Sequence, residues 1–239
     1  MPGRHTIFDD ILFAALLLIP FIERYITWPR LLARLATGEE GIRLQFYRAA
    51  ILSQWLLAAF LLVIWTRRPW AWLLLRWSTP LRLGVGSCVA IGAIALLRWQ
   101  RVQALRSQRA RDQVRRQLEY ARPLLPHTAA ESHLFHFVSV TAGICEELLF
   151  RGFLYWYLAV WTGPLAAAVL SSLIFGLGHI YLGAAHVPKA AAAGLFFACV
   201  AVGSGALWPA MIIHAALDWN SGELGFQVLS RGELPADPA

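Results

Sequence analysis

The chain has 239 residues, of which 58% are hydrophobic and only 15% are charged. A soluble domain usually carries about a quarter charged residues, so this composition excludes an ordinary soluble globular protein. The formal net charge of +7 comes almost wholly from arginine, since Lys189 is the one lysine among the 21 basic residues. Because apolar residues dominate nearly the whole length, the sequence predicts an all-α fold, a polytopic transmembrane helix bundle of about seven to eight spans.

The N-terminal half contains three apolar segments that are predicted to be membrane helices, at residues 7–22, 49–65 and 83–97. Spans of about 20 apolar residues are expected, and shorter ones occur inside bundles. Residues 67–82 contain WAWLLLRW, which is too short and too closely flanked by arginine to span. An interfacial helix is predicted there.

A strongly basic segment follows, with eight arginines between residues 98 and 122. A cytoplasmic loop that obeys the positive-inside rule explains this cluster better than nucleic-acid binding, so no nucleic-acid partner is predicted. The arginines could form a solvated helix face or contact anionic membrane lipid, and the solvated face is the preferred interpretation. If the loop is cytoplasmic, counting spans places the N-terminus outside and the C-terminus inside. The four arginines between residues 67 and 82 then lie on the side that the rule disfavours.

The C-terminal half contains four more apolar segments, at residues 133–160, 164–180, 187–202 and 207–219, with room for an eighth span after Gly222. Small residues are concentrated here and allow the close helix packing that membrane bundles require. The predicted organisation is a set of N-terminal membrane helices with the basic loop (1–132), a C-terminal membrane core (133–222) and a C-terminal tail (223–239).

The stretch GICEELLFRGF, residues 143–153, places two carboxylates and an arginine inside an apolar run. Each charge costs roughly 2.5–3.5 kcal/mol at the centre of a span. Glu147 and Arg151 are spaced i,i+4 and are predicted to form an ion pair, which a purely structural role also explains. Glu146 lies about 100° around the helix and cannot easily share that arginine. Glu146 is therefore the functional candidate of the three.

Two further apolar spans each carry ionisable residues, His179 in FGLGH and His214 with Asp218 in HAALD. At similar depth, the three clusters can meet in one polar cavity. Imidazole and carboxylate groups suit a zinc site, although the helical HExxH spacing is absent. They equally suit metal-free hydrolysis, in which Glu146 and His179 hold and deprotonate a water and His214 with Asp218 stabilises the oxyanion.

The motifs EELLFR (146–151), FGLGH (175–179) and HAALD (214–218) occur in order and each lies in an apolar span. Together they resemble the EExxxR, FxxxH and HxxxN/D motifs of the CPBP family, the CAAX-processing and bacteriocin-processing (Abi-type) intramembrane glutamic endopeptidases. The resemblance covers residues 136–220 and implies an eight-helix membrane fold without cofactor or metal. It implies the following roles: Glu146 activates water with His179, Glu147 supports Glu146, Arg151 is the structural partner, and His214 and Asp218 line the oxyanion site.

The predicted function is an intramembrane endopeptidase of the bacterial inner membrane, acting on a membrane-anchored or tail-bearing protein or peptide in contact with membrane lipid. Maturation and C-terminal tail processing or sorting are the expected outcomes for the substrate. The alternatives are a non-catalytic scaffold or bacteriocin-immunity protein, and a metal-dependent membrane protease. Asp218 departs from better-studied members of the family, which often have Asn at this position, so its oxyanion role depends on a protonated or orienting carboxyl group.

Overall fold

The computed structural model describes residues 5–66, 68–74 and 78–230, and in these residues it contains helices and no β-strand. The predicted all-α membrane bundle is confirmed. Residues 67 and 75–77 of the predicted interfacial helix and residues 231–239 of the predicted tail lie outside the described residues.

The N-terminal half forms five α-helices. A π-helical segment, Glu23–Thr27, joins the first two into one rod. The helices are α1 (Ile7–Ile22), α2 (Trp28–Ala36), α3 (Ile42–Trp65), α4 (Pro80–Leu105) and α5 (Gln108–Leu118). The predicted spans are thus present, but α4 continues well into the basic segment, and α5 is a separate helix of that segment.

The C-terminal half forms five more α-helices and a second π-helical segment, Leu148–Leu154. The helices are α6 (Ala129–Glu147), α7 (Tyr155–Thr162), α8 (Pro164–Leu177), α9 (Val187–Ser204) and α10 (Trp208–Ser230). The predicted single span at 133–160 is therefore α6, the π-helical segment and α7 in succession. Thr128 and Glu131 form a capping box that fixes the start of α6.

Within the part of the chain that the structure describes, four helical rods are long and apolar enough to cross a membrane, namely Ile7–Ala36, α3, α4 and Ala184–Ser204, and α8 is a shorter apolar helix. Large apolar side chains are exposed around the bundle, for example Leu56, Val63, Leu81, Ile91 and Leu165. Such exposure is unfavourable in water and suits a surface that faces lipid.

The two ends of the bundle are distinguished by their contacts. At one end, Trp161 Nε1 donates a hydrogen bond to His5 Nδ1 at 3.3 Å. At the other end, which we call the basic end because it carries α5, Arg115 donates to the carbonyl of Val228 at 2.8 Å. The start of α1 and the basic segment therefore lie at opposite ends of the bundle.

Arg68 is neutralised within the fold. Its two terminal nitrogens each donate to Asp9 at 2.7 Å, and Asp9 is completely buried. The guanidinium also lies over the Trp65 ring, 5.0 Å from its centroid. The Arg68 charge is thus compensated within the fold by the buried carboxylate of Asp9.

The segment that follows Arg68 differs from the predicted interfacial helix. Its described part contains only a 3₁₀ turn, Trp70–Leu73. The reason is that the segment is held at both sides, by the pair of Arg68 with Asp9 and by a backbone hydrogen bond from Leu207 to the carbonyl of Leu74 at 3.1 Å.

Small residues bring the C-terminal helices close together. A Cβ atom on Gly143 would lie 2.7 Å from the Cβ of Ala215, and one on Gly176 would lie 2.7 Å from the carbonyl oxygen of Val187. Helix α6 therefore packs directly on α10, and α8 packs on α9. These approaches bring the ionisable residues of three spans to one place.

Candidate functional site

A buried group of three side chains forms the inner part of the site. Glu147 Oε1 accepts hydrogen bonds from Arg151 Nη1 at 3.0 Å and from His214 Nδ1 at 2.8 Å. The side chains of Glu147, Arg151 and His214 are 0%, 1% and 5% exposed. Because an ionised carboxylate only accepts, Nδ1 of His214 carries the proton in this arrangement. The predicted ion pair between Glu147 and Arg151 is present. The hydrogen bond between Glu147 and His214 was not predicted from the sequence.

Aromatic rings surround the Arg151 guanidinium. Its Cζ atom lies 4.1 Å from the Phe175 centroid and 5.3 Å from that of Phe197. Among the described residues, neither Nε nor Nη2 of Arg151 has a hydrogen-bond partner, and Oε2 of Glu147 has none either. Cation–π contacts thus replace part of the hydration that this charge loses on burial.

Gly194 on α9 provides the space that Arg151 occupies. A Cβ atom at this position would lie 2.8 Å from Arg151 Nη2 and 3.0 Å from Phe175 Cδ1. We expect Gly194→Ala to displace the guanidinium and to lower the free energy of unfolding by about 1–3 kcal/mol, as overpacking does. Gly203→Ala on the same helix is the control, because its Cβ would meet nothing within 4 Å. Thermal unfolding of both variants in detergent measures the difference, and equal midpoints would contradict it.

Glu146 lies at the open side of the same group. Its Oε1 accepts a hydrogen bond from Gln54 Nε2 at 3.1 Å, and its Oε2 lies 3.9 Å from His214 Nε2. The side chain is 21% exposed, in contrast to the fully buried Glu147. The neighbouring carboxylates therefore occupy different environments, and only that of Glu146 is accessible.

Asp218 borders this open side from α10. Its Oδ2 lies 3.6 Å from His214 Nε2, and its side chain is 35% exposed. The His214 ring is held flat against Phe197, with centroids 4.8 Å apart and planes 13° apart. With Nδ1 engaged by Glu147, the Nε2 atom of His214 points toward Glu146 and Asp218.

His179 completes the group at the C-terminal end of α8. Its Nδ1 lies 3.0 Å from the carbonyl oxygen of Phe175, which can only accept, so Nδ1 is the donor and Nε2 is left free of that bond. Asp218 and His214 lie close enough to interact electrostatically with the ring. The structure thus brings all six predicted residues into one region.

Gln54 and Glu23 belong to this region and were missed by the sequence analysis. Gln54 lies near the middle of α3, and its polar side chain inside an apolar span was the available signal. Glu23 lies in the first π-helical segment, within electrostatic reach of Glu146. That segment contacts the 3₁₀ turn Ile180–Leu182, where Tyr181 packs on Trp28 with ring centroids 5.4 Å apart. Glu23 lies between the predicted spans 7–22 and 49–65, where the sequence analysis named no candidate residue.

The arrangement also bears on the metal alternative. Across residues 5–66, 68–74 and 78–230, no group of three or more His, Cys, Asp or Glu side chains has the geometry to hold a metal ion. Each histidine instead contacts a single group through Nδ1: His214 contacts the carboxylate of Glu147, and His179 contacts the backbone carbonyl of Phe175. Such contacts orient imidazole rings for proton transfer and hydrogen bonding.

Residues 129–220 match the family model described as "Type II CAAX prenyl endopeptidase Rce1-like". This range includes α6 to α9 and the first half of α10, and with them every site residue that the sequence analysis named. No curated protein and no solved structure matches the chain.

Proposed function

Residues 129–220 belong to the CAAX protease family, and on that premise we propose that Glu146 activates a water molecule to cleave a membrane-associated protein substrate. The match to a peptidase family and the long apolar helices support an integral membrane protein with peptidase activity. Our proposal concerns the glutamate and histidine mechanism, the roles of single residues and the kind of substrate.

The different environments of the two adjacent carboxylates carry this proposal. Glu147 is fully buried and occupied by Arg151 and His214, so its charge is committed to holding the site together. Glu146 has a single hydrogen-bond donor among the described residues, Gln54, and its carboxylate is accessible. A general base has to reach both water and substrate, and Glu146 meets that condition.

His179 is proposed to hold the same water. Its Nε2 is available to accept a hydrogen bond because Nδ1 donates to the carbonyl of Phe175. Water oxygen attacks the carbonyl carbon of the scissile peptide bond while its proton passes to Glu146. The C–N bond then breaks, and Glu146 returns this proton to the leaving amine nitrogen. Two groups that position one water in this way lower the entropic part of the barrier.

His214 and Asp218 are proposed to face the oxyanion of the tetrahedral intermediate. His214 Nε2 is aimed at the accessible region by the bond of Nδ1 to Glu147. A doubly protonated His214 donates Nε2–H to the developing negative charge. Asp218, as a protonated carboxyl group, donates the second hydrogen bond to the oxyanion. Glu147 is then a positioning residue, which acts through His214.

The role of Asp218 can be tested by its amide. We expect Asp218→Asn to keep at least about a tenth of the wild-type rate, since the amide donates directly to an oxyanion. Asp218→Leu should lose roughly 100–1000-fold, the usual effect of removing one oxyanion donor. The measurement is the rate of peptide cleavage by the purified variants at equal folded fraction. Equal loss in both variants would show that the charge of Asp218, and not its hydrogen bond, is needed.

The expected substrate is a membrane-anchored or tail-bearing protein that is cut near its anchor. Gln54 contacts the site from near the middle of α3, so the cleaved bond must enter a mostly apolar bundle. A segment already held at the membrane reaches this depth more readily than a soluble loop. The same contact shows that the proposed catalytic core, residues 133–222, receives a side chain from the N-terminal helices.

The function is tested by comparing peptide termini in membranes of a bacterial host expressing either the wild type or Glu146→Gln at equal level. We expect new termini only with the wild type, and they identify the substrate and the cleavage site together. Identical termini in both, with a phenotype that the variant still rescues, would contradict proteolysis by this site and favour a non-catalytic scaffold.

A further inference from the structure

A groove of about 500 Å³ lies outside the site described above, between α4, α6 and α10. Its apolar wall includes Ile94 and Leu97 of α4, Val140 and Ile144 of α6, and Met211 of α10. The groove also contains Arg98 and Arg101 of α4 and Asn220 of α10. An apolar channel with two cations at one end is complementary to an anionic amphiphile, which has an apolar chain and a negatively charged head.

The groove exists because α4 diverges from its neighbours along its length. Near its start, Gly86 packs so tightly that a Cβ atom would lie 2.8 Å from Ser204 Cβ and 3.0 Å from Pro209 Cγ. Helix α10 packs against both α4 and α6, whereas α4 and α6 have little direct contact. The space between α4 and α6 is therefore left open over α10, toward the basic end.

The two arginines of the groove are unpaired. Arg98 and Arg101 are spaced i,i+3, so their side chains lie on one face of α4. Within the described part of the chain, neither takes part in an ion pair or a hydrogen bond with a protein group. Arg98 is exposed and Arg101 is half-buried. Unpaired guanidinium groups beside an apolar surface favour a phosphate, which they can bind through two parallel hydrogen bonds.

The order of residues along α4 matches the depth profile of a lipid. Trp99 and Trp219, 58% and 42% exposed, mark the level of the arginines with the amphipathic rings typical of the membrane interface. Ile94 and Leu97 precede Arg98 on α4 by about one turn or less, and so lie closer to the bundle centre than the arginines do. A phosphate at the arginines would therefore have its acyl chain beside the apolar wall.

We propose that this groove binds an anionic phospholipid, with its phosphate at Arg98 and Arg101 and one acyl chain between α4 and α6. The site is separate from the catalytic region. Ala215 and Ala216 of α10 line the groove. His214 directly precedes them, and because successive residues of a helix are rotated by about 100°, its side chain points in a different direction. The lipid thus lies against the rear face of the helix that carries His214.

Lipid binding is measured on the purified full-length chain in detergent by native mass spectrometry, with phosphatidylglycerol and phosphatidylcholine of identical acyl chains. We expect tighter binding of phosphatidylglycerol and a roughly 30-fold loss of its affinity in the double variant Arg98→Ala/Arg101→Ala, the effect of two basic residues near a lipid phosphate. Arg109→Ala/Arg116→Ala removes the same charge from exposed, unpaired positions of α5 and should leave the affinity within about twofold.

Three results would overturn the proposal. Equal losses in the two double variants would show that only the total charge of the basic end matters. Displacement of phosphatidylglycerol by an equal concentration of glycerol phosphate would show a phosphate site without an acyl chain in the groove. Ala216→Leu, which fills the groove and keeps every charge, should weaken phosphatidylglycerol binding, and unchanged binding by this folded variant would place the lipid elsewhere.

Discussion

Replacing Glu146 by glutamine is expected to lower the rate of peptide hydrolysis by the purified protein at least about 100-fold, the usual contribution of a general base. The amide has the same length and still offers an oxygen that can accept from Gln54, so the local contacts are retained. The midpoint of thermal unfolding should therefore change little. The measurement is the initial rate on a peptide that contains the cleavage site found in host membranes.

Glu223→Gln is the matched control for this experiment. Glu223 of α10 is a carboxylate with similar exposure to that of Glu146, since their side chains are 23% and 21% exposed. It contacts His136, at 3.6 Å, and lies outside the proposed site. We expect this variant to cleave at the wild-type rate. A folded Glu146→Gln protein that kept more than about a tenth of that rate would exclude Glu146 as the general base.

The helices were predictable from the sequence because the bilayer requires long apolar segments, but their ends were less so. The third span is predicted at residues 83–97, whereas α4 begins at Pro80 and runs on to Leu105. A helix does not have to end where the hydrocarbon ends, since arginine side chains reach the interface from several positions. The π-helical segment Leu148–Leu154 was not predicted, because an inserted residue depends on tertiary packing and leaves no periodic signal.

The site was predictable to the extent that it depends on helical spacing. The ion pair of Glu147 with Arg151 follows from their i,i+4 separation on a continuous helix. The bonds from His214 to Glu147 and from Gln54 to Glu146 join residues 67 and 92 positions apart. Such contacts depend on the relative depth and rotation of separate helices, which the sequence of each helix leaves open. This is why Gln54 was missed.

Arg151→Met is expected to lower the free energy of unfolding by about 3–5 kcal/mol, because it removes the guanidinium partner of the fully buried Glu147 carboxylate and leaves His214 as its remaining partner. For a chain of this length, that loss corresponds to a fall of roughly 10 °C in the unfolding midpoint. Thermal unfolding in detergent measures it. Arg34→Met is the control, since the Arg34 and Glu39 side chains are 47% and 48% exposed and such pairs contribute at most about 1 kcal/mol.

The double variant Glu147→Leu/Arg151→Met separates the stability of the fold from the chemistry of the site. Apolar side chains of similar volume often replace a buried ion pair with little loss, so the double variant should unfold at a higher temperature than Arg151→Met alone. It should nevertheless remain inactive, because His214 loses the carboxylate that orients its ring. If the double variant were as unstable as Arg151→Met, the cost would come from the lost aromatic contacts of the guanidinium. If it regained activity, Glu147 would have no part in positioning His214.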